Sequence, residues 1–331
     1  MILVTGGTGL IGAHLLLSLT ETNDRVRAIF RTESSQNKTR NLFKLYNKSH
    51  LFEKIEWVEA DINDIELLDI AFAKITHVYH CAALVSFDPR AELKLRKINI
   101  EGTANIVNFC LYHKVEKLCY VSSIAALGDA KTEGDLITES TEWNAEKLHS
   151  DYAITKHGAE IEVWRGEQEG LNVVIVNPSI VLGPGFWDSG SGEIFSNVEK
   201  GLKYYTLGMA AFIAVTDVVE QMIALMKSDI SGKRFILSAE NISYRDLINW
   251  IADTLKKPRP TIEAKKWMTN IAWRLDALKT TLFGGRRHLT KITAQSLHSK
   301  TLYSNKAITE ATSVTFIPIK DYLKKFKKKE S

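Results

Sequence analysis

Cysteine, proline and long apolar runs are scarce in this chain, and each shortage removes a class of protein. Three cysteines, Cys81, Cys110 and Cys119, in 331 residues are too few for a disulfide scaffold, so a reducing, cytoplasmic setting is expected. There is no uninterrupted apolar run of the roughly 18 residues a membrane span needs, so none is expected. A G-x-S-x-G elbow is missing, which argues against a serine hydrolase. His77, His80 and Cys81 stand close in sequence, but strand alternation puts the two histidines on opposite faces and no second cluster completes a site; no metal is expected. The apolar start does not read as a secretory leader, because it lacks a basic segment, is broken by Gly6, Gly7, Gly9 and Gly12, and is followed by Glu21, Asp24, Arg25 and Arg27.

The net charge of +4 is mild, and no nucleic-acid partner is expected. Much of the excess lies in "KDYLKKFKKKES", with six lysines and two acids. Residues 326–331 are read as a solvated basic tail, with contact to anionic lipid or nucleic acid as the alternative. With 45% hydrophobic and 25% charged residues, the chain has the balance of an ordinary globular protein and is long enough for one large domain with an appended lobe.

The informative glycines sit in "VTGGTGLIGAHLLLSL", residues 4–19. Met1–Thr5 predicts a buried strand, and the apolar residues from Leu10 to Leu19 predict a helix packed on a sheet. Gly6, Gly9 and Gly12 fall at the junction. Glycine there permits positive φ, lets a pyrophosphate approach the backbone, and allows helix and strand to pack closely. The free N–H groups of the helix start, at Leu10, Ile11 and Gly12, then suit phosphate. Strand-bearing segments follow at 25–30, 55–62, 76–84, 117–128 and 171–185. Between them lie a polar loop with an amphipathic segment at 42–46, and helices at 65–73, 91–113 and 150–169. Alternation of this kind predicts an α/β fold, a doubly wound Rossmann-type parallel sheet over residues 1–180. Residues 181–325 predict a smaller, mainly helical substrate lobe, with exchange of segments between the two. A stripe of Trp267, Ile271, Leu275, Leu278 and Leu282 has helical spacing and is read as a core face or pocket wall, a membrane-surface helix being the alternative.

Tyr152 and Lys156 are four apart in "SDYAITKHGAE", so on a helix both can enter one cleft. The spacing alone is weak, since about one such pair is expected by chance in a chain of this composition. Its place after the fifth strand, 29 residues beyond Ser123, gives it meaning.

Together "TGGTGLIG", Asp61 in "ADI", "HCAAL" at 80–84, "YVSSIAALG", "YAITK" and "NPSIVLGPG" resemble the extended short-chain dehydrogenase/reductases, closely over residues 1–185 and loosely beyond. The resemblance implies Ser123, Tyr152 and Lys156 as catalytic residues, with Ser122 competing for the hydroxyl role. It places Asp61 and Ile62 at the adenine, Ala82, Ala83 and Leu84 along the nicotinamide side, Pro178 and Ser179 at its carboxamide, and Lys156 on the ribose. Arg31, nineteen residues after Gly12, stands where NAD-binding relatives carry an acid, which favours NADP(H) over NAD(H). Lys156 and an oxidised nicotinamide are expected to lower the Tyr152 pKa. The resemblance also implies a homodimer formed through the helices at 91–113 and 150–169.

Three functions compete: an NADPH-dependent reductase of ketones or aldehydes, resembling the dihydroflavonol reductase and 3β-hydroxysteroid dehydrogenase branches; a nucleotide-sugar epimerase holding NAD; and a non-catalytic NADP(H) sensor. Ile124 and Ala125 occupy the positions where dehydratases carry an acidic pair, which disfavours dehydration. The aromatic residues Phe87, Phe186, Trp187 and Phe212 suggest an apolar pocket; Ser86, Phe87, Phe186 and Trp187 are the candidate substrate contacts.

Overall fold

A computed structural model describes residues 1–23, 25–285, 287 and 289–326; of the expected basic tail only Phe326 is included, and 327–331 lie outside the described residues. In chain order the first half runs β1 (Ile2–Thr5), α1 (Leu10–Thr22), β2 (Val26–Phe30), α2 (Glu33–Leu45), β3 (Ile55–Glu59), α3 (Ile65–Phe72), β4 (His77–His80), α4 (Glu92–Leu95), α5 (Gly102–Tyr112), β5 (Lys117–Val121), β6 (Leu136–Ile137), α6 (Asp151–Gln168) and β7 (Val173–Pro178). The second half adds β8 (Ile180–Leu182), α7 (Gly192–Glu199), β9 (Tyr204–Tyr205), β10 (Met209–Ala214), α8 (Val215–Lys227), β11 (Lys233–Leu237), β12 (Glu240–Ser243), α9 (Tyr244–Thr254), β13 (Ile262–Glu263), α10 (Lys266–Phe283), α11 (Lys291–Ser296), β14 (Leu302–Tyr303), α12 (Lys306–Thr312) and α13 (Ile319–Lys324).

Seven strands form one sheet in the order β3-β2-β1-β4-β5-β7-β11, with every neighbouring pair parallel. Parallel strands need crossovers, and the helices cover both faces, so the inner strands are buried on two sides. All residues of β5 and β7 are buried. One face packs Leu16, Phe43, Val218 and Met222, and the other Leu68, Phe72, Ile106 and Val163. The strand order reverses between β1 and β4, which opens a crevice at their carboxyl ends. A third core around Phe195, Phe212, Ile251 and Tyr322 holds the lobe, built on the three-stranded sheet β12-β10-β8. Strand β11, from beyond residue 181, pairs with β7 and completes the large sheet.

Three expectations are corrected. The polar stretch after Arg31 is helical from Glu33 onward: only Thr39, Leu42 and Phe43 of α2 are buried, so its inward stripe is too narrow to stand out among polar residues. The helix at 91–113 is not regular, because a π turn over Arg96–Glu101 joins α4 to α5. The stripe Trp267, Ile271, Leu275, Leu278 and Leu282 on α10 is neither core nor pocket wall, since all five side chains are exposed. The buried face of α10 is polar instead. Thr269 Oγ1 hydrogen-bonds His298 Nε2 at 2.8 Å, and Asp276 Oδ2 accepts from the Leu289 amide at 3.0 Å.

Two buried histidines make the fold sensitive to acid. Burial holds the His14 imidazole down at about 4 and the His80 imidazole down at about 3. Below about 6.5 the unfolded chain takes up protons at these sites while the folded chain does not, so their share of stability is lost as pH falls. Replacing His14 by Gln removes one such site. The stability gap between wild type and His14→Gln is expected to shrink by about 1.4 kcal/mol per pH unit below 6.5; urea titrations at neutral pH and at a pH about 1.5 units below it check this.

Candidate active site

The β1–α1 turn is shaped for close approach. Gly6 has φ +69, and a Cβ there would strike the backbone of Cys81 and Ala82. A Cβ on Gly12 would collide with the Gly6 carbonyl, so the helix sits directly on the turn. At Gly9 an added Cβ would come no nearer than 3.5 Å to the Gly6 carbonyl, leaving room above it. Gly9 caps α1 without a side chain, and the first helical bond here is from Ala13 N to Gly9 O at 2.9 Å. The amides of Leu10, Ile11 and Gly12 precede that bond, as helix-start donors do.

Beside this turn a cavity of about 260 Å³ is walled by Gly6, Gly9, Phe30, Arg31, Asp61, Ile62, Ala82, Ala83 and Leu84, among others. The crevice thus gathers residues predicted from four separate stretches of sequence. Asp61 Oδ1 accepts from the Asn63 amide at 2.9 Å, fixing the turn that presents it. The 81–84 segment is clamped from below. Ala82 N donates to Thr5 Oγ1 at 3.2 Å, Leu84 N donates to Asn99 Oδ1 at 2.7 Å, and Asn99 Nδ2 returns a bond to Leu84 O at 3.0 Å. Asn99 lies on the π turn and also donates to Thr155 Oγ1 on α6 at 3.0 Å. Its role was not read from the sequence, because a π turn rotates one residue off the helical spacing.

Ser150 caps α6, accepting from the Ala153 amide at 3.1 Å, and this start directs Tyr152 and Lys156 back toward the sheet ends. Ser123 follows β5, and its side chain lies beside Tyr152. Ser123 Oγ accepts from the Ala125 amide at 3.1 Å, which leaves its own proton to donate. Ser122 is not part of this arrangement: its hydroxyl is buried with no partner among the described residues, as is that of Ser179. Asn177 donates to the Ser123 carbonyl at 3.0 Å.

Lys156 is almost wholly buried. Its ammonium donates to Tyr120 Oη at 2.7 Å and to the Val121 carbonyl at 2.8 Å. An ammonium has three donors, so one stays available to the cleft. Desolvation brings Lys156 down to about 7, with Glu160 opposing. Burial pushes the Tyr152 phenol up, and Ser123 opposes it. Thr103 lies beside Tyr120. Thr103 Oγ1 meets His80 Nε2 at 3.0 Å, and His80 Nδ1 meets Thr5 Oγ1 at 2.6 Å. Strand alternation puts Tyr120 and His80 on one side of the sheet, stacked with centroids 5.4 Å apart.

Of the candidate substrate contacts, Phe87 packs edge-on against Tyr152 with ring centroids 5.7 Å apart, while Ser86 Oγ accepts from the Asp88 amide at 3.2 Å. Phe186 is buried against Ala13 and Leu42, Phe212 is buried in the lobe core, and Trp187 packs on Phe195 and Phe326. Phe186 and Phe212 are packing residues, spent on joining elements, whereas Trp187 remains 40% exposed. A second cavity of about 790 Å³ is bounded by Ile124, Ala125, Ser150 and Ala153 on one side and by Thr269, Asn270, Ser299 and Tyr303 on the other. It borders the neighbours of Ser123 and Tyr152, not those two residues themselves.

The crevice fits a dinucleotide by its bare glycine turn and the free helix start. Asn99→Ala strips both partners from Leu84 and one from Thr155. It is expected to lower stability by about 2 kcal/mol, read as a reduced urea midpoint, and to weaken dinucleotide binding, read by calorimetry.

Comparison with known proteins agrees with this arrangement. The model described as "NAD dependent epimerase/dehydratase family" matches residues 2–237. The chain is 32% identical over 279 residues to the putative dihydroflavonol 4-reductase of Synechocystis, spanning 82% of this chain and 77% of that one. It is 27% identical over 289 residues to the UDP-glucose 4-epimerase of Vibrio cholerae, spanning 83% and 81%. The crystal structure of gox2253 shares the fold, with TM-score 0.80 at 24% identity over 98% of this chain and 96% of that one. The chain belongs to the NAD dependent epimerase/dehydratase family and is an enzyme of the extended short-chain dehydrogenase/reductase type.

Proposed function

We propose that this protein reduces a ketone or aldehyde with NADPH, or oxidises a secondary alcohol in reverse. The observation that carries the reading is the placement of Tyr152, beside Ser123, one helical turn before the buried Lys156 ammonium on α6. A carbonyl receiving hydride gains negative charge on oxygen and needs a proton and a fixed donor beside it. The nicotinamide, when bound, supplies the hydride to the carbonyl carbon. Tyr152 gives its phenolic proton to the carbonyl oxygen, and because burial keeps that phenol protonated at neutral pH, reduction is the direction it suits. Ser123 donates to the same oxygen. Lys156 holds its place through Tyr120 and Val121 and turns its third proton toward the nicotinamide ribose.

Preference for NADPH rests on the end of β2. Arg31 is exposed there, and the hydroxyls of Thr32, Ser34 and Ser35 surround the start of α2, a set that suits a 2′-phosphate. Glu33 lies in the first turn of α2, where the helix dipole favours an acid. Asp61 and Ile62 bound the adenine side, and Pro178 and Ser179 serve the carboxamide. Ser86 and Phe87 are the nearest substrate contacts, and the half-exposed Phe87 against Tyr152 favours an apolar substrate. Homodimerisation through α5 and α6 belongs to the same reading; Tyr112 and Ile161 are exposed on these helices. Similarity to a UDP-glucose 4-epimerase supports the second reading, epimerisation with retained NAD.

Purified protein is expected to carry no tightly held NAD and to bind NADPH in preference to NADH. Arg31→Ala is expected to reduce that preference by roughly tenfold, measured by titration with both cofactors. In a screen of ketones and aldehydes followed at the NADPH absorbance, Tyr152→Phe is expected to lower turnover by about 10² to 10⁴-fold. Unchanged turnover would defeat the mechanism, and co-purified NAD would favour epimerisation. Reduction is expected to slow as pH rises through about 7, where Lys156 loses its proton; Lys156→Arg, which does not titrate there, is expected to flatten that limb of the profile.

A further inference from the structure

Helix α10 is amphipathic in the reverse sense for a surface helix. Trp267, Ile271, Leu275, Leu278 and Leu282 recur at helical spacing and face outward, with Leu282 66% exposed and the terminal Phe283 82% exposed. Thr269 and Thr280 are the buried positions. The outward orientation is held in place by the bonds of Thr269 to His298 and of Asp276 to the Leu289 amide. Turning the helix over to bury the stripe would break both bonds and leave their polar groups without partners. Its far end is held as well, since Arg90 donates to the Gly285 carbonyl at 2.7 Å. From Trp267 to Leu282 the exposed stripe runs for about 22 Å at the helical rise.

Charge says what covers this face. Residues 264–285 contain Lys265, Lys266, Arg274 and Lys279 but one acid, Asp276, which is turned inward to Leu289. On the helical wheel Arg274 and Lys279 flank the apolar stripe on opposite sides. An apolar face with tryptophan near one end, phenylalanine at the other and cations along both edges matches a helix lying in the headgroup region of an anionic bilayer. A second copy fits less well, because pairing the same patch about a two-fold brings the cationic edges together. No helix among the described residues is long and apolar enough to cross a membrane, so the helix lies on the surface and does not span. We propose that the outward face of α10 docks this protein onto an anionic lipid surface.

The test is flotation of the purified full chain with vesicles of phosphatidylcholine, with and without phosphatidylglycerol. Wild type is expected to float with the anionic vesicles, and added salt to weaken the association. Leu275→Glu/Leu278→Glu is expected to abolish flotation, and Arg274→Glu/Lys279→Glu to reduce partitioning by roughly tenfold or more. All four positions are exposed, and unchanged thermal melting verifies that the variants fold. Failure of wild type to float, or flotation of the leucine variant at the wild-type level, overturns the proposal. Equal binding to vesicles lacking phosphatidylglycerol overturns the anionic assignment. Self-association in sedimentation velocity that the leucine variant abolishes, without vesicle binding, overturns it in favour of an interface between copies.

Discussion

The placement of one buried charge governs the site. Taking an ammonium out of water costs several kcal/mol, roughly, unless its protons are satisfied. Lys156 meets that cost through Tyr120 and the Val121 carbonyl, and Tyr120 stacks on His80, which meets Thr103 and Thr5. Each member comes from a different element: α6, β5, α5, β4 and β1. The chain of contacts closes only if these strands keep their register, in which Thr5 stands beside His80 and His80 beside Tyr120. The candidate catalytic helix is thereby keyed to the strand that opens the glycine turn.

That coupling explains why the two halves of the crevice differ in character. On the glycine side the backbone itself is presented, with side chains removed and helix-start amides left open. On the far side, polar side chains are spent on neighbours: Ser123 on Ala125, Asn99 on Leu84 and Thr155, Asn177 on Ser123. The hydroxyls of Ser122 and Ser179 are buried with no partner among the described residues.

Helix α10 follows the same logic in reverse. Its polar residues were recruited inward to bond with His298 and Leu289, and the apolar stripe was left outside. Periodicity reports that a helix has two unlike faces. It does not report which of them the rest of the chain will cover.

Length, composition and pattern alone determined the parallel sheet and the glycine turn, because each is encoded by local spacing that any packing must respect. The helical start of α2 was hidden by a narrow buried stripe, and the clamp at Asn99 by a π turn that breaks the period. Phe186 and Phe212 looked like pocket residues in sequence, since aromatic character is the same in a core and in a cleft. The direction of the Tyr152 pKa, the network below Lys156 and the outward face of α10 were decided by tertiary structure. Each depends on which groups desolvate or bond one another across elements far apart in the chain, and sequence spacing carries no measure of that distance.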